Sequence, residues 1–474
     1  MPFNDIREFI SKLEDEGEVV RIKEEVDWNL EACAMIRRSN EEGLPSPFFE
    51  NVKDYPPEYT LFGEALSNHR KLAIAMDLDP DTPVQTMIDK YIEGRQSPIK
   101  PEIVEDAPCK ENILLGDDVD LWKFPVPMIH DGDGGRFIGV WHLTISKDPN
   151  SDWVNWGIHR HMVHSKDAVG IQGGPHTHVM RHRQAWEDKG KPMEVAIVFG
   201  TEPITTMVAG SPIPHQISEV DAAGGIRGEP VKLVKCETVD LMVPATAEIV
   251  LEGEIHPGDM ETEGPFGEFL GYMGGAREPR YVVRVKAITH RNNPILTTGS
   301  EGLPSSSTHT IHSVTKPGEF LQVLRAQGLP VTAVSGLIEA ATMLTVVAIK
   351  RGRARADDVA HAIWSSRMGV ATPWLVVVED DVDPFNVREV MHAMFTKCHP
   401  KRGIVTLDRS RAIALFPFLD KHEQKYLMGA RTYFDCTWPP DWAPEDIPGR
   451  CAFDDVYPED IKKKALETWA KYGY

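Results

Sequence analysis

The chain has 474 residues and, with 51 basic against 72 acidic side chains, a formal net charge of −21. Apolar residues at 41% and charged residues at 26% are ordinary globular usage and exclude a disordered chain. The negative charge repels phosphate backbones and anionic lipids, which excludes nucleic-acid and membrane-surface roles and requires any anionic ligand to be met by local arginine or metal.

From Met1 to Val20, charged and apolar residues alternate with no signal-peptide core, and no later stretch approaches the roughly 18 apolar residues of a membrane span. The expected location is cytoplasmic. Ile6, Phe9, Ile10 and Leu13 form the stripe of an amphipathic helix, ahead of a strand-like Val19–Ile22. Mixed α/β punctuation runs to about residue 115, with proline-rich connections at 55–59 and 97–102. From about 116 to 300 short alternating strands recur. In Ala247–Ile255 and Arg280–His290 apolar residues alternate with Glu248, Glu252, Glu254, Arg284 and Lys286, predicting an antiparallel sheet or barrel with one wet face. Beyond about 310, strands at 343–350, 374–378 and 404–407 separated by helices at 353–367 and 386–398 predict a mostly parallel sheet with right-handed crossovers. A helix at 461–472 closes the chain. Its stripe of Ile461, Ala465, Leu466 and Trp469 needs a packing partner, such as a second subunit. The six cysteines lack a CxxC pair and read as reduced thiols.

No Walker A loop or GxSxG elbow is present, and the glycine clusters at 131–136 and 173–174 lack dinucleotide spacing. Six of 18 histidines fall between 159 and 182, and His176 and His178 would share one face of a strand, where they could bind a metal or form a solvated edge. A zinc-dependent hydrolase therefore stays open as an alternative. Glu261, Glu263 and Glu268 are interleaved with Gly264, Pro265 and Gly267, which forbid regular structure and place the acids on a shaped loop. Such a loop is either a solvated acidic turn or a site that raises one carboxyl pKa for proton donation.

The segment Glu263–Tyr272, EGPFGEFLGY, resembles the signature of the UbiD family of reversible decarboxylases, which use prenylated FMN. Segments 235–255, 155–160 (NWGIHR), 291–295 (RNNPI) and 379–386 (EDDVDPFN) resemble the family in the same order. The resemblance implies a mixed α/β fold in three parts: an N-terminal α/β domain (1–115), a central split β-barrel that binds flavin (116–308), and a C-terminal α/β oligomerisation domain with a terminal helix (309–474).

It further implies a non-oxidative, reversible decarboxylase of an α,β-unsaturated, aromatic or heteroaromatic acid, acting through a covalent substrate–prenylated-flavin adduct with a glutamate proton donor. A non-catalytic flavin-binding homologue is the alternative. By resemblance, Arg160, Glu263 and Glu268 are catalytic. Asn155, His178 and Glu219 hold manganese or magnesium against the cofactor phosphate, a donor set that suits a hard octahedral ion, and potassium is a second ion. Cofactor contacts extend over Asn155, Trp156, Gly157, Ile158, His159, Arg160, Thr177, His178, Glu219 and Arg367, the last standing where the family has a lysine. Phe269, Thr308 and His312 line the substrate pocket. Implied partners are the small carboxylic acid, CO2, a flavin prenyltransferase that supplies the cofactor, and a second copy of the chain as homodimer or hexamer of dimers. Asn155 and Arg160 are five apart, so a bulge or strand end is needed if both are to face one ligand.

Overall fold

The structure, a computed structural model, describes residues 2–473. The stripe of the first helix (Ile6–Asp15) is wholly buried, and Asp5 caps it by accepting the Glu8 amide. Beside it lies a four-stranded sheet in the order Val19–Ile22, Ser46–Phe49, Thr60–Gly63, Ile295–Thr298. The last strand comes from far along the chain and pairs parallel to 60–63, tying the N-terminal layer to the middle of the molecule.

The middle is a ten-stranded sheet with antiparallel pairing. Its order is 137–139, 161–165, 168–171, 278–290, 249–255, 193–199, 143–147 and 154–157, and 260–263 and 112–115 also pair with the long strand 278–290. It is a curled, unclosed barrel, as the resemblance implies.

One sequence expectation fails here. The face of 249–255 expected to be wet is buried, and Glu248 and Glu252 have almost no exposure. Each is satisfied instead. Glu248 accepts Arg7 Nε and Nη2, both at 2.7 Å, from the first helix, and Glu252 accepts the amides of Glu237 at 2.9 Å and Thr238 at 2.6 Å. Alternation marked the two faces correctly, but another layer covers the polar one with matched donors.

Three helices, His178–Glu187, Pro203–Ala209 and Glu219–Arg227, interrupt a region that reads as strands alone. The 20-residue helix Ser307–Ala326 also gives no periodic signal, because it is buried on most sides between the N- and C-terminal cores. Its Gly318 permits that approach, since a Cβ there would meet Tyr91 Cδ1 at 2.8 Å.

The C-terminal sheet differs from its expected topology. Leu344–Ile349, Trp374–Glu379 and Met428–Cys436 are parallel neighbours, while Val331–Gly336 and Ile404–Arg411 pair antiparallel at the two edges. The parallel position expected for 404–407 belongs to 428–436, and 404–411 is the exposed edge. An apolar run shows that a strand forms but not where it inserts. Among the described residues no helix is long and apolar enough to cross a membrane.

Candidate active site

The strand Val154–Gly157 ends at Gly157 and the next begins at His161, so Ile158, His159 and Arg160 lie in the turn between them. This strand end answers the five-residue spacing. Asn155 stays in the ladder, while Arg160, free of strand geometry, turns toward the acidic loop. Gly157, at the end of that strand, leaves room for the His159 ring, since a Cβ would come within 2.8 Å of His159 Nε2.

Arg160 Nε donates to Glu263 Oε1 at 2.9 Å, and its Nη1 donates to Glu268 Oε1. Glu263 ends the strand Met260–Glu263, and Glu268 follows the short strand Phe266–Gly267. Gly170 makes room for Glu263, since a Cβ there would lie 2.3 Å from its Oε2; Gly274 does the same for the Glu268 side chain. Arg160 Nη2 takes part in neither bond and lies near Gly264 and Gly275. Burial raises the pKa of both carboxyl groups, and Arg160 opposes the rise in each. Glu263 Oε2 is buried without a partner. The sequence places three acids on an irregular loop, but Glu261 and Glu263 lie in the strand 260–263, paired to 278–281 ahead of Gly264, and Glu261 faces outward to Arg284 and His164.

Asp133 and His130, which sequence reasoning missed, pack against this loop and hold its backbone. Asp133 Oδ1 accepts the Gly267 amide at 2.9 Å, and the Gly134 amide donates to Pro265 O at 2.8 Å. The glycine cluster at 131–136, which fails as a nucleotide loop, thus grips the acidic loop. A Cβ on Gly134 would sit 2.0 Å from Gly264 O, so the two backbones touch. The density of glycine was the available signal.

The second cluster lies on the other side of Asn155. His178 Nδ1 is 2.8 Å from Asn155 Oδ1, and Glu219 Oε2 accepts the Trp156 amide at 3.2 Å. His178 does not share a strand face with His176. Glycine and proline end the preceding strand, Thr177 is the N-cap, and His178 opens a helix. Of the other histidines, His161 turns to Gly170 O and His164 to Glu261, while His182, bonded to Ser146, packs with His178 and His215 around Trp153. Burial lowers the His178 pKa to about 3, so its imidazole is neutral, the ligating form. Burial raises buried Glu219 to about 8, and no basic side chain among the described residues pairs with it.

Arg367 reaches this cluster from the C-terminal part, donating Nη1 to Ile213 O at 2.8 Å. Arg181 lies close by and lowers the pKa of both Arg367 and His178, after the larger effect of burial. Neither arginine has an ion-pair partner among the described residues, so positive charge accumulates in a chain that is negative overall. Arg181 was not foreseen. Thr177 donates its hydroxyl to Gly174 O, and the Ile158 side chain approaches Gly210. Of the expected substrate residues, Phe269 and His312 meet, with ring centres 6.0 Å apart, whereas the Thr308 hydroxyl is committed to Glu301.

The chain matches three family models: the 3-octaprenyl-4-hydroxybenzoate carboxy-lyase N-terminal domain over residues 10–91, its Rift-related domain over 102–304 and its C-terminal domain over 309–436. It is 32% identical to pyrrole-2-carboxylic acid decarboxylase of Pseudomonas aeruginosa, over 99% of this chain and 98% of that one. It is likewise 32% identical to ferulic acid decarboxylase 1 of Saccharomyces cerevisiae, over 100% and 99%. Among solved structures, the closed form of vanillic acid decarboxylase from Sedimentibacter hydroxybenzoicus superposes with a TM-score of 0.88 at 27% identity, covering 100% of both chains. HmfF from Pelotomaculum thermopropionicum, in complex with FMN, gives 0.85 at 29% identity, covering 98% of this chain and 100% of that one.

Proposed function

We propose that this chain, which belongs to the UbiD family of carboxy-lyases, is a non-oxidative, reversible decarboxylase of an α,β-unsaturated, aromatic or heteroaromatic acid with prenylated FMN as its cofactor. The observation that carries the reading is the partly buried Arg160 bridging Glu263 and Glu268, both with raised carboxyl pKa. A protein that only bound flavin would have no use for an arginine that holds one acid ready to protonate and leaves one nitrogen free.

The residues around Asn155 suit the cofactor and its metal. Arg181 and Arg367, neither in an ion pair among the described residues, would hold a phosphate, and Glu219, neutral His178 and the Asn155 amide would hold a manganese or magnesium ion whose charge offsets that of the phosphate. Potassium would be a second cation near the same phosphate. When bound, prenylated FMN supplies the electron sink that a carbanion on an sp2 carbon lacks. The chain supplies the rest. Arg160 Nη2 orients the substrate carboxylate, Glu263 fixes the guanidinium, and Glu268 gives its proton to the carbon that CO2 leaves. In reverse, Glu268 removes that proton. Phe269 and His312 border the space for the acid.

The experiment expresses the chain with and without a flavin prenyltransferase and offers a panel of cinnamic, benzoic, furoic and pyrrole acids, with products read by mass spectrometry. Activity and flavin colour are expected only after co-expression. Equal turnover from both preparations would overturn the cofactor assignment.

A further inference from the structure

Glu301 lies outside the Arg160 network yet connects to both ends of the segment that carries Glu268. Its side chain contacts Ser306 Oγ at 2.8 Å through Oε2 and takes the Thr308 hydroxyl through Oε1. Ser306 Oγ is 2.9 Å from His309 Nδ1, and His309 Nε2 is 2.6 Å from the Phe269 carbonyl oxygen. The Glu301 carbonyl begins a second path: it lies 2.7 Å from His130 Nε2, and His130 Nδ1 lies 3.1 Å from Asp133 Oδ2. Asp133 Oδ1 then accepts the Gly267 amide at 2.9 Å. Two chains of hydrogen bonds leave one residue and end on the residues immediately before and after Glu268.

Donor and acceptor chemistry assigns the protons. Carbonyl oxygens only accept, so His309 and His130 must each carry a hydrogen on Nε2. His130 Nδ1 faces the Asp133 carboxylate and must carry one too, making His130 an imidazolium. Burial opposes that charge, but Asp133 outweighs it and the pKa is raised. His309 is the opposite case, with burial lowering its pKa to about 4. With its one hydrogen on Nε2, its Nδ1 is an acceptor. Ser306 has a single hydroxyl proton: turned to Glu301 it leaves Nδ1 without a donor, and turned to Nδ1 it fills both contacts by accepting from Glu301. That requires a protonated Glu301 carboxyl. The surroundings agree: burial first, then the negative charge of Glu64, raise the Glu301 pKa to about 7, against the opposing effects of Thr308, Ser306 and Arg37.

We propose that Glu301 is a positioning residue, held as a neutral carboxylic acid, whose two hydrogen-bonded arms fix Gly267 and Phe269 and so aim the Glu268 carboxyl. The functional part of this inference rests on Glu268 being the proton donor. Glu64 and Arg37 face Glu301 from the N-terminal layer, His130 and Asp133 from the loop before strand 137–139, and His309 from the 307–326 helix. When Glu301 loses its proton, Ser306 turns its hydroxyl to the carboxylate. His309 then has either an empty Nδ1 or a proton moved to Nδ1, which sets a lone pair against the Phe269 carbonyl. The arm loosens as pH rises through about 7.

Glu301→Gln tests this, because an amide NH2 donates to Ser306 at every pH while its oxygen still accepts Thr308. The ratio of variant to wild-type kcat is expected to be near one in acid and to rise as pH passes neutral, with KM unchanged. Titration of Glu268 is common to both proteins and cancels in the ratio. A ratio independent of pH, or a variant slowed more than about tenfold in acid, would overturn the proposal. Infrared spectroscopy reads the same proton without turnover: a carboxylic-acid band that disappears near neutral pH, is missing from Glu301→Gln and is kept in Glu268→Gln. Ser306→Ala, lacking the hydroxyl that accepts the proton, should shift that band, which serves if Glu301→Gln does not fold. Absence of the band overturns the inference, whereas the band present in a protein that decarboxylates nothing sinks only the functional reading.

Discussion

Glu263 and Glu268 share one arginine, but they differ in surroundings. Glu263 has no side-chain exposure, while Glu268 keeps 14% and so has access to a ligand. Glu268→Gln preserves size and hydrogen bonding and removes the proton, so fold and flavin content should persist while turnover falls by at least about 10³-fold, the upper part of the acid–base range. Decarboxylation within about tenfold of wild type would reassign the donor. The direction of the pH dependence follows from the raised carboxyl pKa. The acid is competent while protonated, so activity is present below the folded-state pKa and is lost as pH rises past it, later than an ordinary glutamate would allow. A kcat profile that instead falls toward acid would contradict a Glu268 donor. His178→Ala tests the other cluster. Metal and flavin should be lost together, and full flavin occupancy without metal would show that the ion does not bridge to the phosphate.

At the scale of elements, the site depends on where strands stop. The 154–157 strand ends one turn before Arg160, strand 260–263 ends on Glu263, and Gly170 in strand 168–171 leaves the gap that Glu263 fills. Gly170→Ala would place a Cβ 2.3 Å from Glu263 Oε2. The carboxylate must move and take Arg160 with it, and a displacement of about 1 Å typically costs on the order of 10²-fold in rate. We expect that loss in kcat with flavin and metal content unchanged, measured on cofactor-replete protein. Unaltered kcat would mean that the Glu263–Arg160 geometry does not limit the reaction.

At the scale of the molecule, the C-terminal helix Glu459–Trp469 still presents apolar side chains, with Ile461 46%, Leu466 62% and Trp469 52% exposed. The preceding Phe453, Val456 and Tyr457 are exposed as well. A second copy of the chain would bury this surface, so we expect sedimentation at no less than twice 53.0 kDa. Each copy carries a charge of −21, so an apolar contact between copies should strengthen as moderate salt screens their repulsion. Dissociation on adding salt would point to ion pairs, and a monomer at all concentrations would refute self-association.

The sequence by itself determined the family, the mixed α/β class and the first helix, because side-chain order and periodicity are properties of a local stretch. It also named Arg160, Glu263 and Glu268, which the fold brings into contact, and it asked for a bulge or a strand end between Asn155 and Arg160 if both were to face one ligand. Only the tertiary structure decided what covers each surface. Glu248 reads as solvent-facing until Arg7 arrives from the first helix, and the 307–326 helix has no stripe because both its sides are interior. The helix beginning at His178, the edge position of 404–411 and the grip of Asp133 on Gly267 likewise depend on partners distant in sequence. Local pattern records which face is apolar, whereas burial, pairing and protonation depend on what the rest of the chain places against it.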